Sequence, residues 1–125
     1  MASAITRHYA DKGLIGLSVH PGIVATDLGR YMSDGEMEAM GLGKLMHVMK
    51  NTAQGAATQV WAAVSPYFED VKNGGVYLAD VGESGPMREG ELPGAPGYAP
   101  HAYDEAAEEK LWKLSCEAVG VLAED

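Results

Sequence analysis

In Gly16-Leu-Ser-Val-His-Pro-Gly-Ile-Val-Ala-Thr-Asp-Leu28, an apolar run that begins at Leu14 and reaches Val19 stops at Pro21-Gly22. Proline has no N–H to give a sheet ladder and glycine leaves the backbone loose, so neither continues a central strand. The pattern predicts a buried strand over Leu14–Val19. The next residues, Ile23-Val-Ala-Thr26-Asp27, then fall beyond the carboxyl end of that strand, where open α/β sheets bind their ligands. This loop is the candidate site.

Upstream, Ala2 to Asp11 can form a helix with Ala2, Ile5 and Tyr9 on one face, and Lys12-Gly13 supplies a C-terminal cation and cap. Helix, glycine turn and strand together read as the second half of a βαβ unit. Downstream, residues 27–51 are broken by glycines and gather Met32, Met37, Met40, Met46 and Met49. Methionine is flexible and polarisable, so the cluster suits an adaptable apolar surface, although it could equally fill core under a long insertion. His47 lies in the same segment and reads as a surface residue.

The clearest helix runs from Thr52, read as its cap, through Ala56, Gln59, Val60, Ala63 and Val64 to a stop at Pro66, with Gly55 leaving room for a close neighbour. A polar turn over Asp70–Gly74 leads into a short strand, Gly75–Ala79. Residues 81–100 are rich in glycine and proline and predict an irregular connector. A terminal helix occupies 102–119, with its pattern clear from Tyr103. Asp104 and Glu105 sit at its start, Glu108, Glu109, Lys110 and Lys113 face solvent, and Leu111, Trp112, Leu114 and Val119 serve as anchors.

The apolar run followed by Pro-Gly-x-x-x-Thr is similar to the segment after the sixth strand of short-chain dehydrogenases/reductases. "Thr52-Ala-Gln-Gly-Ala-Ala57", "Gly74-Gly-Val-Tyr-Leu-Ala-Asp80" and "Tyr103-Asp-Glu-Ala-Ala-Glu-Glu-Lys-Leu-Trp112" resemble the last helix, seventh strand and C-terminal helix of its retinol-dehydrogenase-like members. The resemblance covers only the C-terminal half of the family. It implies an α/β fold, the last part of a Rossmann-type doubly wound parallel sheet in one partial domain, with 27–51 as the lid over an apolar substrate. It also implies an NAD(P) cofactor, with Val24 and Thr26 as contacts to the nicotinamide end and Pro21 and Gly22 shaping the turn.

Other family features are not found in this sequence. No tyrosine is followed four residues later by lysine, the pair on one helix face that supplies the family's acid/base, and no glycines stand in G-x-x-x-G-x-G or G-x-G-x-x-G spacing. No catalytic residue and no metal ligand set is therefore assigned. The expectation is a truncated oxidoreductase polypeptide, inactive alone. The alternatives are a non-catalytic module that binds a hydrophobic small molecule or pairs with a full-length homologue, and a purely structural acidic domain. With only the last two strands retained, the Leu14–Val19 edge lacks a neighbour, so self-association is expected.

The bulk properties fit one domain: 125 residues, 46% hydrophobic. Nine basic against eighteen acidic residues give a net charge of −9, which repels nucleic acid and anionic lipid. The lone Cys116 leaves no intramolecular disulfide and suits a reducing cytosol. Neither a signal peptide nor a run of ~20 apolar residues is present. A cytoplasmic protein without a membrane span is expected.

Overall fold

The computed structural model describes residues 1–91 and 95–121. Helix α1 (Ala2–Tyr9) is extended by a 3-10 turn, Ala10–Lys12, and ends at Gly13, whose φ of +78° caps it. Strand β1 (Ser18–His20) follows. Two short helices, α2 (Asp34–Ala39) and α3 (Leu42–Leu45), lead to α4 (Thr52–Val64), β2 (Tyr77–Ala79), β3 (Gly82–Glu83) and α5 (Glu105–Val119). The sheet has the order β1-β2-β3. β1 and β2 are parallel, with Ser18 opposite Tyr77 and His20 opposite Ala79, and β3 returns antiparallel to β2.

The architecture is mixed α/β, with a small three-stranded sheet among the described residues that is compatible with part of a Rossmann-type sheet. β3 was not foreseen from the sequence. It forms because Asp80 and Val81 both adopt positive φ, 52° and 59°, as the central residues of a two-residue hairpin turn. Asp tolerates this region, but β-branched valine there is strained by ~1–3 kcal/mol. Support comes from Thr58, 1% exposed, whose Oγ1 accepts the Val81 N–H at 3.2 Å.

The first strand differs from the expected Leu14–Val19. It is shifted to Ser18–His20, none of it is fully buried, and Leu14 is 53% exposed. The cause lies at Gly16, where an added Cβ would stand 2.5 Å from the Ala2 carbonyl oxygen, so the chain runs against the start of α1. Thr6 Oγ1 accepts the Gly16 N–H at 3.0 Å, which ties this segment to the helix. Sheet pairing begins only where Gly75 N–H donates to the Gly16 carbonyl at 2.8 Å.

Helix α4 starts as expected, but its cap is Asn51 rather than Thr52. Asn51 Oδ1 accepts the Gln54 N–H at 2.8 Å and Gln54 Oε1 accepts the Asn51 N–H at 2.9 Å, a reciprocal capping box. In α5 the cap is Asp104.

Glu108, expected in solvent, is 6% exposed. It pairs with Arg7 of α1 at 2.6 Å, while Arg7 also reaches Glu109 at 3.0 Å. Trp112 stacks on His8 with ring centroids 5.0 Å apart, and Tyr9 meets Trp112 edge-on at 5.9 Å. These contacts dock α5 on α1. Among the described residues the buried apolar side chains are few: Ala4, Leu45, Leu78 and Ala79.

Candidate functional site

Because β1 and β2 are parallel, the segments leaving His20 and Ala79 emerge at the same end of the sheet. After β1 the chain turns at Gly22, whose φ of +82° favours glycine. Its N–H donates to His20 Nδ1 at 3.1 Å, which requires that nitrogen to be unprotonated. The turn is thus fixed to the strand it leaves.

Residues Ile23–Ala25 then run beside Lys50. Lys50 N–H donates to the Ile23 carbonyl at 2.8 Å and Ala25 N–H to the Lys50 carbonyl at 2.9 Å, an isolated parallel bridge centred on Val24. Both bonds come from Val24's neighbours. In such a bridge the N–H and C=O of the central residue point away from the partner strand, so Val24 turns its own peptide groups outward. Its side chain goes against α4, where an added Cβ on Gly55 would lie 2.6 Å from Val24 Cγ2. The room that Gly55 leaves is therefore filled by a side chain of the candidate loop.

Thr26 is exposed. Its Oγ1 accepts the Leu28 N–H at 3.3 Å and caps the 3-10 turn Asp27–Tyr31, and a hydroxyl that accepts one bond still has its proton to donate. Beyond it, an open cleft of about 1090 Å³ is lined by Ile23–Gly29 and by all five methionines of the 27–51 segment. Asp27, Asp34, Glu38 and Lys44 supply its charged groups. Helix α2 is held in place by a capping box in which Ser33 N–H donates to Glu36 Oε2 at 2.8 Å. That bond and one from the Ser33 hydroxyl lower the Glu36 pKa.

Of the sequence-derived candidates, Val24 and Thr26 both line the cleft, while Pro21 and Gly22 form the half-buried turn leading to it. His47 is exposed in a 3-10 turn. Tyr9 packs with Trp112 and Lys12. Three residues were not anticipated: His20, Lys50 and Asp80. Lys50 could have been suspected because it immediately precedes the Asn51-x-x-Gln54 capping box, which fixes its backbone at a helix entrance. Among the described residues, no group of three His, Cys, Asp or Glu could hold a metal ion, and no helix is long and apolar enough to cross a membrane.

The chain is similar to curated oxidoreductases over nearly its whole length. It is 43% identical to the short-chain dehydrogenase/reductase prx1 of Penicillium roqueforti over 116 residues, 92% of this chain and 33% of that protein. It is 35% identical to the oxidoreductase calI of Penicillium decumbens, across the entire chain and 37% of the relative. Retinol dehydrogenase 14 of mouse is 36% identical over 83% of this chain and 27% of its own length. The chain spans about a third of the length of the curated relatives it matches. No family model and no solved structure matches it.

Proposed function

We propose, from its membership of the short-chain dehydrogenase/reductase family, that this chain forms the nicotinamide-side wall and the substrate lid of an NAD(P)-linked oxidoreductase acting on an apolar alcohol or carbonyl compound. The observation that carries this reading is the Val24–Lys50 bridge, which points the Val24 N–H and C=O away from Lys50, two residues before Thr26 at the cleft. A carboxamide needs one donor and one acceptor, and a residue whose N–H and C=O point to the same side fits it. Val24 and Thr26 would hold the nicotinamide end, and Pro21 and Gly22 would set the turn. When bound, the cofactor supplies hydride chemistry. The chain's own residues orient its reactive end and present an apolar wall.

The methionines support the substrate side of the reading. Five flexible thioethers around one cleft accommodate a bulky neutral ligand without demanding a single shape. We read 27–51 as the lid, 81–100 as an irregular connector and 102–119 as the C-terminal helix; residues 92–94 of the connector lie outside those described. The lone Cys116 suits a cytoplasmic setting. Because the sequence holds neither a Tyr-x-x-x-Lys pair nor a glycine-rich phosphate loop, purified chain is expected to give no NAD(P)-dependent turnover.

Methyl-labelled methionine gives the test. On titration with a long-chain primary alcohol, the methyl signals of Met32, Met37, Met40, Met46 and Met49 should shift together, while Met1 and Met87, which do not line the cleft, stay in place. Equal shifts at all seven, or none, would contradict the reading. Shifts in the methionines with no response of Val24 and Thr26 to nicotinamide would favour the second reading, a non-catalytic module for hydrophobic small molecules.

A further inference from the structure

We propose that Lys50 is a positioning residue for the Pro21–Thr26 loop, acting through a clasp that runs from the entrance of α4, past the turn at Gly22, to Asp80 at the end of β2. The backbone part of the clasp is the pair of hydrogen bonds that brackets Val24. The side-chain part is separate. A Cβ added at Gly22 would lie 2.8–2.9 Å from Lys50 Nζ, Cδ and Cε, so the lysine stem occupies the space that the glycine leaves. Beyond it, the ammonium forms an ion pair with Asp80 Oδ1.

Each component has a reason to be the residue it is. Glycine at 22 meets two demands at once, a φ of +82° and the passage of the lysine stem. Lysine at 50 supplies a flexible four-carbon stem ending in a compact charge, long enough to cross the turn and reach the next strand. Asp80 sits at the first position of a hairpin turn with φ of +52°, which aspartate tolerates better than most residues. The Lys50 side chain is 25% exposed and that of Asp80 58%, so the pair is open to solvent on the aspartate side and its strength depends on salt.

The consequence is a loop fixed at three points: to β1 through His20, to α4 through the Lys50 backbone, and to β2 through the Lys50 ammonium. Only the last depends on charge. The functional importance of the clasp rests on the reading that this loop faces nicotinamide, but its existence is testable without any cofactor.

Amide hydrogen exchange on the full chain tests it, with Gly22 and Ala25 as reporters of the loop and the Thr58–Val60 amides as reporters of α4. Lys50→Met keeps the stem and removes the charge; Asp80→Asn removes the partner charge and keeps a residue tolerant of positive φ. Both should speed exchange at Gly22 and Ala25 by about two- to fivefold, the scale of one solvent-open ion pair, while α4 is unchanged and Lys50→Arg restores most of the protection. Raising the salt concentration should speed exchange at the same two amides in the unmutated chain and have no effect on them in Lys50→Met. The salt arm needs no variant to fold. Unchanged loop exchange in Lys50→Met, an acceleration equal in loop and helix, or loop exchange indifferent to salt in the unmutated chain would overturn the proposal. Failure of nicotinamide to perturb the loop would overturn the functional reading and leave the clasp standing.

Discussion

Gly55 and Glu108 each make, at the scale of single residues, one close contact that ties distant parts of the chain together. Gly55→Ala would gain helix propensity worth ~1 kcal/mol, but overpacking a filled site costs ~1–3 kcal/mol. Its new Cβ would meet the branched Val24 side chain at 2.6 Å, and Val24 is anchored by the bridge to Lys50, so overpacking should win. The variant is expected to unfold at lower urea and to shift the Val24 amide resonance, and a raised midpoint would show that the loop yields freely. For Glu108, burial raises the carboxyl pKa, but bonds from Ser3 and Arg7 outweigh it and leave the value below the ordinary carboxylate range. A depressed folded pKa stabilises the protein above the unfolded value, about 4.3, and that contribution fades as pH falls through the lower folded value. Glu108→Gln should therefore cost ~1–2 kcal/mol near neutrality, and the gap between the two proteins should close below about pH 4. Parallel urea titrations across that range would check it. The sequence marked Glu108 as solvated because a charged residue is rarely buried unless paired, and its partner, Arg7, lies 101 positions away.

Elements read from local pattern were found, and those that depend on distant contacts were not. α1, α4 and α5 follow from periodicity, caps and the stops at Gly13 and Pro66. The Pro-Gly break after β1 was legible as well. What was not legible was where β1 starts, since that is set by how closely Gly16 approaches Ala2, and the β2–β3 hairpin, whose Asp-Val turn lacks the usual glycine or asparagine pair. The candidate site residues Val24 and Thr26 came from resemblance, and the turn of the Val24 N–H and C=O away from Lys50 emerged only with that lysine as its partner. One element-level expectation concerns the sheet edge. β1 pairs only with β2 among the described residues, which leaves its other edge open, and the half-buried Leu17 immediately precedes it. We expect self-association through this edge, so Leu17→Lys should raise the monomer fraction in sedimentation velocity. A unmutated chain that sediments as monomer at high concentration would contradict it.

For the whole molecule, the central feature is how much apolar surface stays uncovered for so small a core. Leu28, Met46, Val60, Val64, Leu114 and Val119 are all more than half exposed, while Leu78 and Thr58 are the largest side chains buried fully. Leu28 and Met46 line the cleft, whereas the exposed groups on α4 and α5 are outside it. A chain matching a third of its relatives' length and carrying the Gly22 turn, the methionine-lined cleft and the proposed clasp, but no phosphate-binding glycine pattern, should engage a dinucleotide by one end only. The most direct measurement compares the two halves of that dinucleotide by amide chemical shifts. Reduced nicotinamide mononucleotide should perturb Val24, Ala25 and Thr26 with weak, saturable binding that Thr26→Val diminishes, and adenosine monophosphate should leave these amides unmoved. Perturbation of the loop by the adenosine half alone, or its silence toward the nicotinamide half at saturating concentrations, would contradict the account.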